Sequence, residues 1–400
     1  MKIFEINSGN YGSTGNIMLN IAETAKLSGH NVKIAYRKSR SVTPGNSDDE
    51  ILIGNSFYGL THRLLGEYLG LEGFGSVFST LKLIKDIKNF NPDIIHLHIL
   101  HGWYLNLPLL FSFLSKYDKK VVWTMHDCWA FTGHCPHFEY VKCNKWQTGC
   151  ENCSQYKEYP FSKIDNSKFL YKYKKKYFTS IKNLNIVTPS QWLEGLIEGS
   201  YLKNNSKTYV INNGIDLNIF KPVESNFREL NNISENVYLI LGVAFEWTEK
   251  KGVDIFKKLS NDLNSNYKIV LIGTTEDDEK NLPENIIKIR RTSSKEELAE
   301  IYSSADLFAN PTKEETFPTV NMEALACGTP VLTFSTGGSP EIIDEKSGSV
   351  VDCDDYESFK SEIIRICETK PFNSSDCIER AKMYDMNDKF IEYVKLYESI

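Results

Sequence analysis

The sequence predicts an α/β protein with two doubly wound, Rossmann-like domains. Its 400 residues exceed one ordinary core, so two domains of roughly 200 residues are expected. Short β-rich runs alternate with longer helical patterns along the chain, as βαβ units do. Runs such as VYLILGVA and KIVLIG are continuously apolar, which is typical of strands buried on both faces of a parallel sheet.

Twelve segments are predicted as strands. In the first half they are Lys2–Asn7, Asn31–Arg37, Asp93–His98, Val121–His126, Asn185–Ser190 and Thr208–Asn212. In the second half they are Val237–Val243, Lys268–Gly273, Ile286–Arg290, Leu307–Asn310, Pro330–Phe334 and Ser349–Val351. Helices are predicted between them, for example over Ile17–Leu27 and Lys295–Ser303.

The predicted domain boundary follows from the segment NNGIDLNIFKP, where Asn, Gly and Pro interrupt the regular pattern. Residues 1–216 are assigned to an N-terminal domain and residues 217–384 to a C-terminal domain. The amphipathic segment 385–400 is predicted to be a helix that crosses back onto the first domain. Ligands of open α/β sheets bind outside the carboxyl ends of the strands, so residues at those ends are the candidate site.

Charge and composition exclude some functions. The net charge of −6 argues against nucleic acid as a partner. Residues 1–200 carry 23 Lys and Arg against 17 Asp and Glu, whereas residues 201–400 carry 23 against 35. The start lacks the pattern of a secretory signal, and no run of about 18 apolar residues predicts a membrane span. Residence in the cytoplasm, with peripheral contact at the inner face of the membrane, is the expectation.

Two glutamates stand out in NPTKEETFPTVNMEALACGTPVL. Glu315 lies in a loop after a predicted strand, and Glu323 lies on the first turns of the next helix. Both carboxylates can therefore face one crevice, where each can accept hydrogen bonds from two neighbouring sugar hydroxyls. Two surface glutamates near a helix N-terminus would be the alternative.

With its neighbouring motifs, this segment resembles the retaining glycosyltransferases of family four, which have the GT-B fold, and among them the bacterial surface-polysaccharide enzymes of the colanic-acid type. The matching motifs are EETFPTVNMEALACGTPV, VINNGIDLNIFKP, EKKGVDIF, DIIHLH, VTPSQWL and GGSPEII. The resemblance implies two Rossmann-like domains that face each other across a cleft. It also implies transfer of a hexose from a UDP- or GDP-sugar to a lipid-linked or oligosaccharide acceptor, with the donor on the C-terminal domain and the acceptor on the basic N-terminal one.

The resemblance also implies roles for single residues in binding the donor. Glu323 would hold the ribose, Glu315 would lie beside the sugar hydroxyls, and Lys251 would neutralise the diphosphate. The family usually has an Arg five residues before that Lys, but this chain has Glu246 there. Lys250 or the Arg290–Arg291 pair would then supply the second cation. Asn213 and Gly273, which follow predicted strands, complete the donor set in the second half.

In the first half, Gly12, Ser13 and Gly15 follow the first strand, where glycines let backbone N–H groups approach a phosphate. A plain strand-to-helix turn is the alternative. His126 follows another strand, and the resemblance implies that it contacts the donor sugar. His98 is assigned to the acceptor side, and His96 to packing.

The segment CPHFEYVKCNKWQTGCENC holds four cysteines, here named the cysteine cluster: Cys135, Cys143, Cys150 and Cys153. Their spacing suits a structural zinc, with four unligated thiols as the equal alternative. No cofactor is expected for catalysis. The one DxD sequence, Asp352–Cys353–Asp354, precedes a helix and is read as its cap.

The segment FLYKYKKKYF alternates cations with aromatic residues, which predicts weak contact with an anionic membrane surface through Lys172, Lys174, Lys175 and Lys176. A solvated helix with a core-facing aromatic stripe is the alternative. A nucleotide-sugar epimerase of the same fold and a sugar-binding protein without activity are the competing functions. A nicotinamide dehydrogenase is disfavoured because the glycine fingerprint GxGxxG is missing.

Overall fold

The computed structural model describes residues 1–37 and 48–400 and divides into two units. The first unit contains residues 1–212 together with the terminal segment Lys389–Ile400, and the second contains residues 213–388. The division therefore falls four residues before the predicted boundary. In the described part of the chain, no helix combines the length and the apolar character needed to cross a membrane.

The first unit is built on one parallel sheet of seven strands. Its order is β3-β2-β1-β4-β5-β6-β7, so the winding reverses between β1 and β4. The strands are β1 Lys2–Asn7, β2 Asn31–Arg37, β3 Glu50–Ile53, β4 Ile94–Leu97, β5 Lys120–Thr124, β6 Leu184–Thr188 and β7 Ser206–Val210. The helices are α1 Gly12–Leu27, α2 Ser56–Leu69, α3 Val77–Phe90, α4 Leu107–Leu114, α5 Ser167–Phe178 and α6 Gln191–Gly199.

The second unit is built on a parallel sheet of six strands, in the order β10-β9-β8-β11-β12-β13, and its winding reverses between β8 and β11. The strands are β8 Tyr238–Val243, β9 Tyr267–Ile272, β10 Ile287–Ile289, β11 Leu307–Asn310, β12 Val331–Phe334 and β13 Gly348–Val351. The helices are α7 Phe227–Leu230, α8 Val253–Asp262, α9 Glu276–Asn281, α10 Lys295–Ser304, α11 Thr319–Ala326, α12 Ser339–Ile342, α13 Tyr356–Thr369 and α14 Ser374–Lys382. The last helix, α15 Met386–Ser399, begins at the end of this unit and lies mostly in the terminal segment Lys389–Ile400 of the first unit.

The predicted fold class of two doubly wound α/β domains is confirmed. All twelve predicted strands are present within a few residues of their expected bounds. The sequence missed β3, an edge strand of only four residues, EILI, which is too short to show a periodic pattern. Helix α1 begins at Gly12 rather than Ile17, which places the predicted glycine loop in the first turn of the helix.

Candidate active site

In the second unit, the carboxyl ends of β8 and β11 bring a cation and a carboxylate together. Lys251 ends a short 3₁₀ helix after β8, and Glu315 lies in the loop after β11. The Lys251 ammonium donates to Glu315 Oε2 at 2.7 Å, and about a third of its side chain is exposed. The pair lies where the winding of the sheet reverses, which is the usual ligand position in such sheets. Predicted separately from the sequence, the two residues form one ion pair.

Backbone contacts hold the Glu315 loop in place. Gly337, in the loop after β12, has a φ of 56°, and a Cβ there would lie 1.7 Å from the Glu315 carbonyl oxygen. The Gly338 N–H donates to the Thr316 carbonyl at 3.0 Å, and the Thr316 N–H donates to Glu315 Oε1 at 3.1 Å. Only glycine fits at position 337, so this close approach fixes the backbone that carries the carboxylate.

Glu323 lies on α11 with its carboxylate half-buried. Its Oε2 accepts a hydrogen bond of 3.2 Å from the hydroxyl of Tyr302, a fully buried side chain of α10. Burial raises the pKa of Glu323 to about 7. The Thr319 side chain also hydrogen-bonds to this carboxyl group. A carboxylate has about four acceptor positions, so two adjacent hydroxyls of a ligand could also donate to it. Tyr302, which orients this carboxylate, was not found from the sequence.

The second cation near Lys251 is Lys250, whose ammonium lies 3.2 Å from the buried carboxylate of Glu314. Arg290 instead forms ion pairs with Glu276 and Glu279 at 2.9 and 2.7 Å. Of the two replacements considered for the family arginine, Lys250 is therefore the one that neighbours Lys251 along the same 3₁₀ helix.

Two further predicted donor residues have structural constraints of their own. The buried Asn213 donates from its side-chain amide to the Phe317 carbonyl at 3.3 Å, in the loop between the paired glutamates. Gly273 follows β9 with a φ of 93°, and a Cβ there would lie 1.7 Å from the Ala244 carbonyl oxygen. Ala244 opens the loop that leads to Lys251, so Gly273 lets two strand-end loops pack closely.

In the first unit, the N-terminus of α1 is open. Gly12 and Ser13 are exposed, and the residue before the helix, Tyr11, makes no side-chain cap. The first N–H groups of a helix have no partner within it, so an anion can take them. Gly15 differs, because it is buried and a Cβ there would lie 2.6 Å from the Asn10 carbonyl carbon. Gly15 therefore packs against the backbone and is not exposed to a ligand.

His126 belongs to a buried column of titratable side chains. Its Nε2 lies 3.1 Å from His98 Nδ1, and the two rings stack with centroids 5.4 Å apart. On the far side, His98 Nε2 lies 3.4 Å from Oε2 of Glu5, in the middle of β1, and both side chains are fully buried. Burial lowers the pKa of His126 to about 4, holds that of His98 well below its usual value and raises that of Glu5. His126 is therefore neutral near pH 7, and burial disfavours the charged forms of His98 and Glu5.

The predicted acceptor role of His98 does not fit this burial, because its side chain has no exposed surface and contacts other protein groups. Glu5, which the sequence did not single out, is its neighbour. A charged residue type inside the apolar run KIFEIN was the available signal.

The described residues, 1–37 and 48–400, contain one group of side chains that is close enough to share a metal ion. It consists of Glu5, His96 and His98, whose ligand atoms lie within 4.8 Å of one another. However, both ring nitrogens of His96 have other partners: Thr124 Oγ1 at 2.8 Å and the hydroxyl of Tyr397 at 2.6 Å. His96 is thus held by hydrogen bonds within the core, as its assignment to packing implied.

Three members of the cysteine cluster, Cys135, Cys143 and Cys150, belong to or pack against the apolar core that contains the rings of Phe131, Phe138 and Trp146. All nine cysteines of the chain are described, and none is in a disulfide. The thiol of Cys135 hydrogen-bonds to Cys153 and thereby lowers the pKa of Cys153 to about 7. A tetrahedral zinc needs sulphur atoms about 3.8 Å apart, and among the described residues the cysteine sulphurs do not form such a group. The structural zinc therefore stays a prediction.

The predicted membrane contact is wrong for one of its four lysines, Lys174. Lys174 is fully buried: its ammonium lies 3.4 Å from the ring centroid of Trp129 and donates to the Trp129 carbonyl at 2.8 Å. Burial lowers the pKa of Lys174 to about 7. It cannot touch a membrane, whereas Lys172, Lys175 and Lys176 are exposed.

The helix after the DxD sequence is capped by Asp355, which accepts from the Ser358 N–H at 3.1 Å, and not by the DxD itself. Asp354 instead forms an ion pair of 2.9 Å with Lys313.

Two doubly wound domains in sequence make up the GT-B fold. The chain belongs to glycosyltransferase family 4: residues 14–219 match the family described as Glycosyltransferase Family 4, and residues 224–384 match Glycosyl transferases group 1.

Individual proteins are similar to the chain in sequence or in fold. The chain is 25% identical over 275 residues to the colanic acid biosynthesis glycosyl transferase WcaC of Escherichia coli; the match covers 66% of this chain and 65% of that protein, just under two thirds of its length. Sucrose-phosphate synthase from Thermosynechococcus elongatus superimposes with a TM-score of 0.73 at 18% identity, over 99% of this chain and 98% of the other. HepE of Anabaena, in complex with UDP-glucose, gives 0.69 at 14% identity over both whole chains.

Proposed function

We propose that the protein is a retaining, metal-independent hexosyltransferase that uses a nucleotide diphosphate sugar and acts in the synthesis of a surface polysaccharide. The observation that carries the proposal is the Lys251–Glu315 ion pair where the winding of the second sheet reverses, with Glu323 on the helix that follows the same loop. The name of the E. coli relative supports the polysaccharide, and the UDP-glucose complex of HepE supports the donor class.

In the proposed reaction, the bond between the anomeric carbon and the diphosphate oxygen breaks while the acceptor hydroxyl oxygen attacks from the same face. The electron pair of the broken bond stays on the diphosphate, which also takes the proton of the acceptor hydroxyl. Lys251 and the neighbouring Lys250 stabilise the negative charge that develops on the leaving group. Glu315 then holds sugar hydroxyls, and Glu323 the two ribose hydroxyls.

The ion pair adds a step to donor binding. The ion pair with Glu315 neutralises Lys251. A diphosphate competes with that carboxylate for the ammonium, so binding exchanges one anion for another rather than burying a free cation. The neutral His126 fits a contact with an uncharged sugar hydroxyl.

The test is transfer itself. The purified protein is incubated with UDP- and GDP-hexoses and a lipid-linked oligosaccharide acceptor, and the anomeric configuration of the product is read by NMR. Retention of the donor configuration is expected; inversion would refute the proposed stereochemistry. A parallel reaction without acceptor separates the competing function, because an epimerase would convert the nucleotide sugar into its epimer and a transferase would not.

A further inference from the structure

The structure shows an unusual concentration of exposed apolar side chains in the first unit. Eleven of the twenty large hydrophobic side chains that are exposed among the described residues lie in α2, at the start of α3 and in residues 161–169. Contiguous apolar surface of this kind marks an interaction site. We name it the α2 patch and define it by six side chains: Phe57, Leu60, Leu64, Tyr68, Phe78 and Ile164.

Helix α2 differs from an ordinary surface helix because its large apolar side chains lie on the solvent-exposed face. Its inward face is formed by His62, which bonds to Ser76 and to the Gly73 N–H at 3.0 Å each, and by Gly66. Its outward face carries Phe57, which is 68% exposed, and Leu60, which is 54% exposed. A helix that faced only water would place its apolar stripe inward.

The patch continues onto neighbouring segments. The rings of Tyr58 and Phe78 lie 6.2 Å apart, which joins α2 to the start of α3. At the other end of α2, the Lys163 N–H donates to the Glu67 carbonyl at 2.7 Å, and the Lys163 ammonium lies 3.9 Å from the Tyr68 ring centroid. The apolar surface thus extends along the full length of the helix.

Charge around the patch selects its partner. In residues 56–90 and 160–178, nine Lys and Arg side chains are exposed, whereas all four acidic side chains are at least partly buried. Three of the nine form ion pairs with acidic side chains, Arg63 with Glu67, Lys82 with Asp86 and Lys168 with Glu151, so cations remain in excess. A second copy of the same surface would bring like charges together. An anionic bilayer offers apolar chains beneath a negative surface and so matches both features. We propose that the α2 patch docks the protein onto an anionic lipid bilayer.

The patch is also linked to the candidate site of its own unit. Gly66 packs closely against the Trp103 ring, in the loop after β4, and His101 in that loop bonds to Asp127, next to His126, at 2.8 Å. Docking would therefore hold this edge of the sheet near the lipid surface, where a lipid-linked acceptor presents its sugar. This last step rests on the proposed function.

The test uses the full protein and vesicles of phosphatidylglycerol and phosphatidylcholine, with sedimentation as the measurement. The wild type is expected to bind at low salt and less well at high salt, and Leu60→Gln with Leu64→Gln to weaken binding at least tenfold. The matched control changes two exposed leucines outside the patch, Leu27→Gln with Leu230→Gln, and should bind like the wild type.

Three outcomes would overturn the proposal: no binding at low salt, equal loss in the control, or unchanged binding of the patch variant. A concentration-dependent dimer that the patch variant abolishes, with vesicle binding intact, would identify the surface as a contact between copies instead. The vesicle assay needs no sugar donor, so its failure leaves the proposed function standing. Conversely, absence of transfer with normal vesicle binding would refute the function and not the docking surface.

Discussion

Substitution of the two paired glutamates, Glu315 and Glu323, should change different kinetic parameters. Glu315 is paired with Lys251 beside the proposed leaving group, so its interactions change as the bond to phosphate breaks. Glu323 lies on the helix that follows and is proposed to hold the ribose, which does not react. Loss of a contact made equally in the ground state and the transition state raises KM, whereas loss of one made mainly in the transition state lowers kcat. We expect Glu315→Gln to lower kcat and Glu323→Gln to raise the donor KM.

The size of each effect follows from the kind of contact. A hydrogen bond to a charged group contributes about 1.5–3 kcal/mol, and about 1.4 kcal/mol corresponds to a tenfold change in rate. Each substitution should therefore change its parameter by roughly tenfold to a hundredfold. The Lys251–Glu315 pair is partly exposed, and pairs of this kind contribute about 0–1 kcal/mol to stability. The kinetic effect of Glu315→Gln should thus exceed its effect on folding.

The assay is steady-state transfer with varied donor at a saturating acceptor concentration. Glu379→Gln is the matched control, since Glu379 forms an exposed ion pair of 2.6 Å with Lys382 in the same unit and lies outside the site. The melting temperature of each variant identifies any loss of structure. If both site variants fold normally and keep wild-type kinetics, the paired glutamates are not the donor site. If Glu315→Gln raises only KM, its contact is not specific to the transition state.

Four other outcomes can be measured separately. Because the pKa of Glu323 is raised from 4.5 to about 7, the folded state holds this proton more tightly than the unfolded state. The free energy of unfolding should therefore fall as pH rises from about 4.5 through 7, and urea titrations of Glu323→Gln should lack that fall; parallel pH profiles would contradict the shift. Transfer should persist in EDTA, and complete loss that Mg²⁺ or Mn²⁺ restores would refute metal independence. If the cysteine cluster binds zinc, elemental analysis of freshly purified protein should find one zinc per chain. A protein without zinc would refute the metal site and favour four unligated thiols. Glu5→Gln keeps a donor toward His98 and should retain kcat, whereas Glu5→Met should lower it without changing the donor KM; equal kinetics in the two variants would argue against a positioning role.

The sequence was sufficient for the fold class because continuous apolar runs are the direct consequence of burial on both faces of a sheet. It also placed Lys251 and Glu315 at strand ends. It could not show that they pair, because 64 positions separate them and their approach depends on β8 lying next to β11 in the sheet. Adjacency of non-consecutive strands is a property of the winding, and no local pattern encodes it.

Side-chain direction was the harder part of the prediction. Lys174 belongs to a basic run, yet one helical face buries it against Trp129 while its neighbours face solvent. The outward apolar face of α2 is the reverse case, since an amphipathic pattern shows that a helix has two faces but not which of them meets the core. His98 was expected to reach an acceptor, but its strand lies in the middle of the sheet and Glu5 of the adjacent strand fills the space beside it.

Glu5 has a physical rationale in the tautomer of His126. A buried ionised carboxylate without partners would be costly, and burial accordingly raises the pKa of Glu5 and favours its protonated form. Glu5 Oε2 lies 3.4 Å from Nε2 of His98, and neither atom has a hydrogen-bond partner among the described residues. A protonated Glu5 that turned to donate to this nitrogen would leave the proton of neutral His98 on Nδ1, which faces Nε2 of His126. His126 would then carry its own proton on Nδ1, the nitrogen that does not face His98. We infer that the column fixes one neutral tautomer of His126, so that its N–H can donate to a sugar hydroxyl without adding positive charge beside an anomeric carbon that itself becomes positive.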